Sequence, residues 1–344
     1  MSKIKKLGED AIKKLLNEAY NKKAFTHCQI VVGNEEKIIF EYDINANKNY
    51  FFDLASITKV IATTMITLKL IEKGILNLST TLGDIYDYVE MDKKQISIKH
   101  LLTHSAGFEP HFHIQDFTEK KSDVETIILT RPLISKVGEN VHYSCIGFIL
   151  LGIILEKLTR NSLADLTKIY VIEPLNMTST TFSPLSCAQL DDIVPTETDH
   201  KTNMRLHGIV HDENARFLKI AGNAGLFSTR CDMIKFLRAL ITNKNAQGKT
   251  YLSKDLYDLM LTNHTSGKNE GRGLGVRIYQ SDDFPGGDKL SIGSYGHTGF
   301  TGTSFFIDKT SNIFVVLLAN RVYYQRSDNS FFTMRRQIHN TIFS

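Results

Sequence analysis

The segment Ile57–Leu70, ITKVIATTMITLKL, constrains this chain more than any other. Wound as a helix, it carries apolar residues on nearly every face, and a helix hydrophobic all round is buried at the centre of a domain. Gly74 is placed to cap its end. The helix opens with Ser56-Ile57-Thr58-Lys59. Positions i and i+3 share a face, with Cβ atoms about 5–6 Å apart, so Lys59 reaches the Ser56 hydroxyl. A charge amid apolar residues is costly unless something uses it. Burial and the positive end of the helix dipole both predict a neutral Lys59 amine. A neutral lysine beside a serine is a competent general base, and the Ser56 N–H at the helix start can face a developing oxyanion. The pattern alone also fits an N-cap serine and a snorkelling lysine; Ser2–Lys5 repeats it.

Strand-like runs lie towards both ends of the chain. HCQIVV (27–32) and KIIFEYD (37–43) flank a turn at Gly33–Glu36, and TSFFID (303–308) and NIFVVLLAN (312–320) flank Lys309–Ser311. Residues 331–343 read as a closing helix. Between about 76 and 214 the pattern is mainly helical or irregular, with a helix over about 146–158 and five of the six prolines. At roughly 150 residues per domain, 344 residues suggest about two. The expectation is an α+β chain: an antiparallel sheet flanked by helices, formed by 1–75 and 215–344, with a mainly helical domain inserted at 76–214.

The balance of 41 basic and 37 acidic residues leaves +4, which does not suggest a nucleic-acid partner. No run of about 18 apolar residues predicts a membrane span. Four cysteines far apart, with no CxxC pair, fit reduced thiols. The N-terminus has no signal-peptide h-region; Ile12, Leu15, Leu16 and Ala19 continue a helical stripe begun at Ile4 and Leu7. That stripe predicts a helix docked on the sheet rather than on a membrane surface. A cytoplasmic protein is expected, an exported form with its signal removed being the alternative.

Two further motifs follow Ser56–Lys59. Tyr143-Ser144-Cys145 sits where a loop enters a helix, and His297-Thr298-Gly299 sits just before a strand. S-x-x-K, Y-S-x and H-T-G in this order resemble the three motifs of the serine β-lactamase and penicillin-binding protein superfamily, closest to its class C β-lactamase-like branch of D,D-carboxypeptidases, esterases and amidases. IKHLLTHSAGF (98–108), YVIEPLNMTSTTF (170–182), GIVHDENA (208–215), AGNAGLFSTRCDMIKF (221–236) and RGLGV (272–276) are also similar to stretches of that branch. The resemblance implies a β-lactamase/transpeptidase-like fold, Ser56 as acylated nucleophile, Lys59 as its proton-accepting partner and Tyr143 as proton carrier. Either Lys59 or Tyr143 is the base. It implies substrate binding by His297 and Thr298, and a second oxyanion N–H at Phe300, after Gly299. Two departures stand out. Cys145 replaces the Asn or Asp usual there, a poor partner for an amide. His297 replaces the lysine of β-lactamases and is mostly neutral at pH 7.

The resemblance implies a serine hydrolase without metal or organic cofactor, acting on a small amide such as a peptidoglycan-derived peptide. A carboxylesterase is the alternative. A remote alternative is a zinc hydrolase, because His100, His104, His111 and His113, and His207, His211, Asp212 and Glu213, cluster in sequence; H-E-x-x-H is absent. GIVHDENA is expected to shape a wall of the cleft.

Overall fold

The computed structural model describes residues 2–280 and 283–344, with side chains from residue 8 onward. Eight strands are present among them: β1 (Cys28–Gly33), β2 (Ile38–Ile44), β3 (Phe52–Asp53), β4 (Phe227–Ser228), β5 (Arg277–Ile278), β6 (Tyr295–Thr298), β7 (Ser304–Ile307) and β8 (Phe314–Ala319). Six form one antiparallel sheet in the order β2-β1-β8-β7-β6-β5, and β3 pairs with β4. The fold is therefore α+β, as expected, and both predicted hairpins form.

The helices that matter here are α1 (Ser2–Asn21), α2 (Met65–Glu72), α3 (Cys145–Thr159), α4 (Glu213–Leu218), α5 (Arg230–Thr242) and α6 (Ser330–Ile342). The near-continuous apolar runs of β1 and β8 follow from burial of both sheet faces, since successive side chains point to opposite sides. Ile30, Val32, Val315 and Leu317 pack against Ile12, Leu16 and Ala19 of α1 and Phe331, Met334 and Ile338 of α6. Val31, Val316 and Leu318 belong to the main core with Ile57, Val60, Ile61 and Phe236. The N-terminal helix is thus docked on the sheet, although Ile4 and Leu7 fall outside the described side chains.

The apolar segment after Ser56 is buried throughout from Ile57 to Leu68. It is not one regular α-helix. It opens as a 3-10 turn over Ala55–Ile57, widens to a π-helix over Lys59–Thr64, and becomes α2 only at Met65. β-branched Val60, Ile61, Thr63 and Thr64 crowd an α-helical turn. Thr63 Oγ1 donates to the Gly222 carbonyl at 2.7 Å, tying the widened turn to a neighbouring loop. Residues 76–214 contribute no strand to the six-stranded sheet; the helix read at 146–158 is α3, whose apolar side chains join the main core.

Candidate active site

Ser56 follows β3 on a backbone held from several directions. Asp53 Oδ1 accepts from Ala55 N at 2.8 Å and Oδ2 from His211 N at 2.8 Å. The Asp53 and Leu54 carbonyls accept from Thr301 Oγ1 at 2.7 Å and Thr303 Oγ1 at 3.1 Å. These bonds fix Ala55 at φ 45°, a left-handed conformation costing an alanine about 1–3 kcal/mol. The turn presents half-buried Ser56 at the head of the central helix.

Lys59 is fully buried. Its Nζ donates to Ser56 Oγ at 2.9 Å, the Asn223 carbonyl at 2.9 Å and Cys145 Sγ at 3.4 Å. An ammonium has three donors, and here each has an acceptor. Burial opposes the charge, but Cys145 and Tyr143 more than offset it, so the Lys59 pKa lies above the ordinary lysine value. The expectation of a neutral amine is thereby corrected: burial was legible in the run around Lys59, but the compensating groups come from chain segments far away.

Tyr143 lies beside this lysine, with Nζ 5.0 Å from its ring centroid. Burial, helped by Cys145, raises the Tyr143 pKa; Lys59 and Ser56 oppose it, and the net value lies above that of an ordinary tyrosine. Its ring rests on His104, centroids 4.5 Å apart. His104 Nδ1 accepts from Ser144 N at 3.0 Å, which assigns the remaining imidazole proton to Nε2. Burial, Arg272 and Lys59 hold His104 well below the usual histidine range. Ser144 caps α3, accepting from Gly147 N at 3.1 Å, and so sets where Tyr143 and Cys145 enter the site.

The third motif closes the opposite side along β6. Gly299 N donates to Thr303 O at 2.7 Å. A Cβ on Gly299 would stand 2.1 Å from Thr303 Oγ1 and 2.5 Å from the Leu54 carbonyl, so only glycine lets this strand end approach the Ser56 turn. The backbone N–H groups of Ser56 and Phe300 donate to no described residue. Two such amides can stabilise an oxyanion without a protein acceptor competing for them.

Ser56, Tyr143, Cys145, Thr298, Gly299 and Phe300 line one cleft of about 740 Å³. Lys59 lies buried behind it. His297 lines instead a separate cavity of about 190 Å³, with Tyr143, Glu270, Arg272 and Thr298. Its Nδ1 donates to Thr298 O at 2.8 Å, and Nε2 has no partner among the described residues. Burial, then Arg272 and Lys59, holds His297 well below the usual histidine range, so the ring is neutral. Several residues of the zinc alternative, His111, His113, His211, Asp212 and Glu213, line the cleft, but His113 pairs with Glu213 at 2.8 Å, His211 with Glu197 at 3.0 Å, and His100 Nδ1 accepts from Ser97 N at 3.1 Å. Among the described residues no three His, Cys, Asp or Glu groups gather as metal ligands. His211, Asp212 and Glu213 line the cleft wall.

Sequence reasoning missed Asn223, whose carbonyl binds Lys59, and Asp53. It also missed Arg321, Arg326, Phe332 and Arg335, which line the cleft from the far end of the chain. Asn223 lies inside AGNAGLFSTRCDMIKF, but a backbone acceptor leaves no side-chain signal. The spacing of 331–343 identified a closing helix, not which of its residues reach the cleft.

The three-motif cleft on an antiparallel sheet defines a class, and sequence comparison agrees: the chain belongs to the Beta-lactamase family, matched over residues 28–337. It is a serine hydrolase of the β-lactamase and penicillin-binding protein superfamily. A Salmonella enteritidis protein provisionally named D-alanyl-D-alanine carboxypeptidase is 29% identical over 313 residues, covering 82% of this chain and 72% of the relative. Among solved structures, EstCE1, a hydrolase with promiscuous acyltransferase activity, superposes with a TM-score of 0.75 at 17% identity, covering 99% of both chains. The octameric penicillin-binding protein homologue from Pyrococcus abyssi superposes at 0.73 and 19% identity, covering 94% of this chain and 76% of its own. Both structures share the fold. No helix among the described residues is long and apolar enough to cross a membrane.

Proposed function

We propose that this enzyme cleaves a small amide through an acyl-enzyme on Ser56, in a cleft between the sheet unit (1–75 and 215–344) and the helical insertion (76–214). The observation that carries the reading is the fully bonded Lys59 ammonium against Ser56, with Tyr143 alongside. A lysine that already holds its proton cannot accept another. Tyr143 is then the base: with its pKa raised, its phenol must first give its proton to solvent, the Lys59 cation alongside favouring the phenolate so formed. Ser56 Oγ attacks the carbonyl carbon as its proton passes to Tyr143. The oxyanion is held by the Ser56 and Phe300 N–H groups. The C–N bond breaks as Tyr143 returns the proton to the departing amine, and water then releases the acyl group by the same route.

The substrate class is a peptidoglycan-derived peptide in a D,D-carboxypeptidase-type reaction, supported by the name of the 29% identical relative. A second reading, ester hydrolysis, is favoured by Cys145, whose sulfur engages Lys59, and by the neutral His297, which offers no charge to a substrate carboxylate. Both features predict weak or absent β-lactamase turnover. Four free cysteines fit a reducing compartment, and a cytoplasmic location belongs to this reading. Ranking kcat/KM over D-alanyl peptides, muropeptides, short-chain esters and nitrocefin tests it. D-alanyl peptides are expected first; esters ahead of every peptide would establish the esterase.

A further inference from the structure

Tyr143 must lose its proton before it can act as a base, and burial opposes the charge that results. The groups around the ring decide how far that charge is tolerated. Lys59 is one, with Nζ 5.0 Å from the ring centroid. A second cation is Arg272, whose guanidinium carbon lies 5.4 Å from the same centroid. His104 and His297 flank the ring at 4.5 Å and 5.9 Å, and burial keeps both neutral. Cys145 follows Tyr143 into α3, and His111 and Asp212 share the cleft with it.

Arg272 is not a surface arginine. It is 4% exposed, it walls the small cavity behind Tyr143 with His297 and Glu270, and its Nε has no hydrogen-bond partner among the described residues. Glu270 pairs with Arg272 through one oxygen and reaches Arg277 at 3.5 Å through the other. Arg277 is otherwise 3.9 Å from Asp283, a fully exposed carboxylate. One carboxylate thus serves two guanidiniums, which leaves net positive charge beside the ring. A buried and incompletely paired charge is costly unless something uses it.

The turn RGLGV (272–276) shows how the arginine arrives there. Arg272 N donates to Thr265 Oγ1 at 2.8 Å, and its carbonyl accepts from His264 N at 2.7 Å. A Cβ on Gly273 would overlap the Met260 carbonyl, and one on Gly275, at φ 76°, would overlap Thr64 Oγ1. Gly275 N donates to the Leu102 carbonyl at 3.0 Å. The two glycines let the turn press onto the π-helical stretch that carries Lys59, and Arg272 is delivered against Tyr143 with it.

We propose that Arg272 is a positioning residue for the reaction: its buried guanidinium, set against the Tyr143 ring, supplies a second positive charge that favours the phenolate. A cation near an aromatic ring is attracted by the neutral phenol, and more strongly by the phenolate, whose charge is opposite. The attraction is mutual, since Tyr143 in turn favours the charged form of Arg272. The inference rests on the reading of Tyr143 as the base and deepens it.

Fluorine NMR of enzyme labelled with meta-fluorotyrosine tests it. The signal lost in Tyr143→Phe belongs to Tyr143, and its titration follows the phenol without reference to turnover. A unit charge at 5.4 Å, acting through an effective dielectric of about 20 and partly offset by Glu270, moves a phenol by about one pH unit. Arg272→Gln should therefore titrate about one unit higher than the wild type, and its kcat at pH 7.5 should fall by up to about tenfold. Arg272→Lys, which keeps the charge, should stay closer to the wild type. Glu270→Gln removes the offsetting carboxylate and should titrate lower; it decides the matter alone if Arg272→Gln does not fold. No shift, or a shift of the same sign in Arg272→Gln and Glu270→Gln, overturns the proposal. Near-normal kcat in Tyr143→Phe overturns the Tyr143 reading, and with it any part for Arg272 in the reaction, whereas opposite shifts in the two variants still establish the charge of Arg272 on the ring.

Discussion

Acidification should destabilise this protein well before its carboxylates titrate. His104, His297 and His339 are buried, and burial holds each pKa below the ordinary value of about 6.5, that of His339 at about 3. Above pH 6.5 neither the folded nor the unfolded chain binds a proton at these rings. Below it the unfolded chain gains protons that the folded chain refuses, so stability falls as pH falls. At pH 5.5 the His339 ring, held at about 3, costs about 1.4 kcal/mol relative to pH 7.5, and His104 and His297 add to the loss in the same direction. One such ring is already a sizeable share of the roughly 5–15 kcal/mol that holds a typical protein folded. His27, His100, His111 and His264 are shifted in the same direction and steepen the slope. Asp308, held at about 2, loses its contribution only at much lower pH and does not enter this window. Urea unfolding at pH 7.5, 6.5 and 5.5 reads the effect. His339→Leu supplies the control: that ring packs near Phe306 and Phe343, and neither nitrogen has a partner among the described residues. The variant should recover about 1.4 kcal/mol of the loss at pH 5.5. Stability that stays level from pH 7.5 to 5.5, or falls equally in His339→Leu, would refute the reasoning.

Two further outcomes follow from the site. Tyr143→Phe should lower kcat by about 10²–10⁴-fold with the fold intact by circular dichroism, since it deletes the group assigned to move protons; near-normal kcat would remove Tyr143 from that role. Because His297 is held neutral, KM for the preferred substrate should stay level between pH 6 and 8; a steep rise in KM across that range would mean that a His297 cation binds substrate.

Much of the sheet was legible because its signals are local. The turn at Gly33–Glu36, the turn at Lys309–Ser311 and the apolar runs beside them require only neighbours in sequence, and they became the β1–β2 and β7–β8 hairpins. The buried helix was legible from its uniform apolarity, but its π-helical opening was not, because that winding depends on contacts such as Thr63 with Gly222. At the site, the proximity of Ser56 and Lys59 followed from i,i+3 spacing, and the distance of 2.9 Å agrees. The charge on Lys59 did not follow. It depends on Cys145 and Tyr143, which lie 86 and 84 residues away in the chain. The arginines of the cleft were silent for a related reason: an arginine on an amphipathic helix normally faces water, and nothing local marks Arg335 as buried.

The central claim is that Ser56 is the residue acylated, and intact-protein mass spectrometry tests it most directly. The enzyme is incubated with a serine-directed acylating probe or a penicillin, in parallel with Ser56→Ala. The account predicts one added acyl mass on the wild type, mapped to the peptide containing Ser56, and none on the variant. An adduct of the same mass that persists in Ser56→Ala would contradict it.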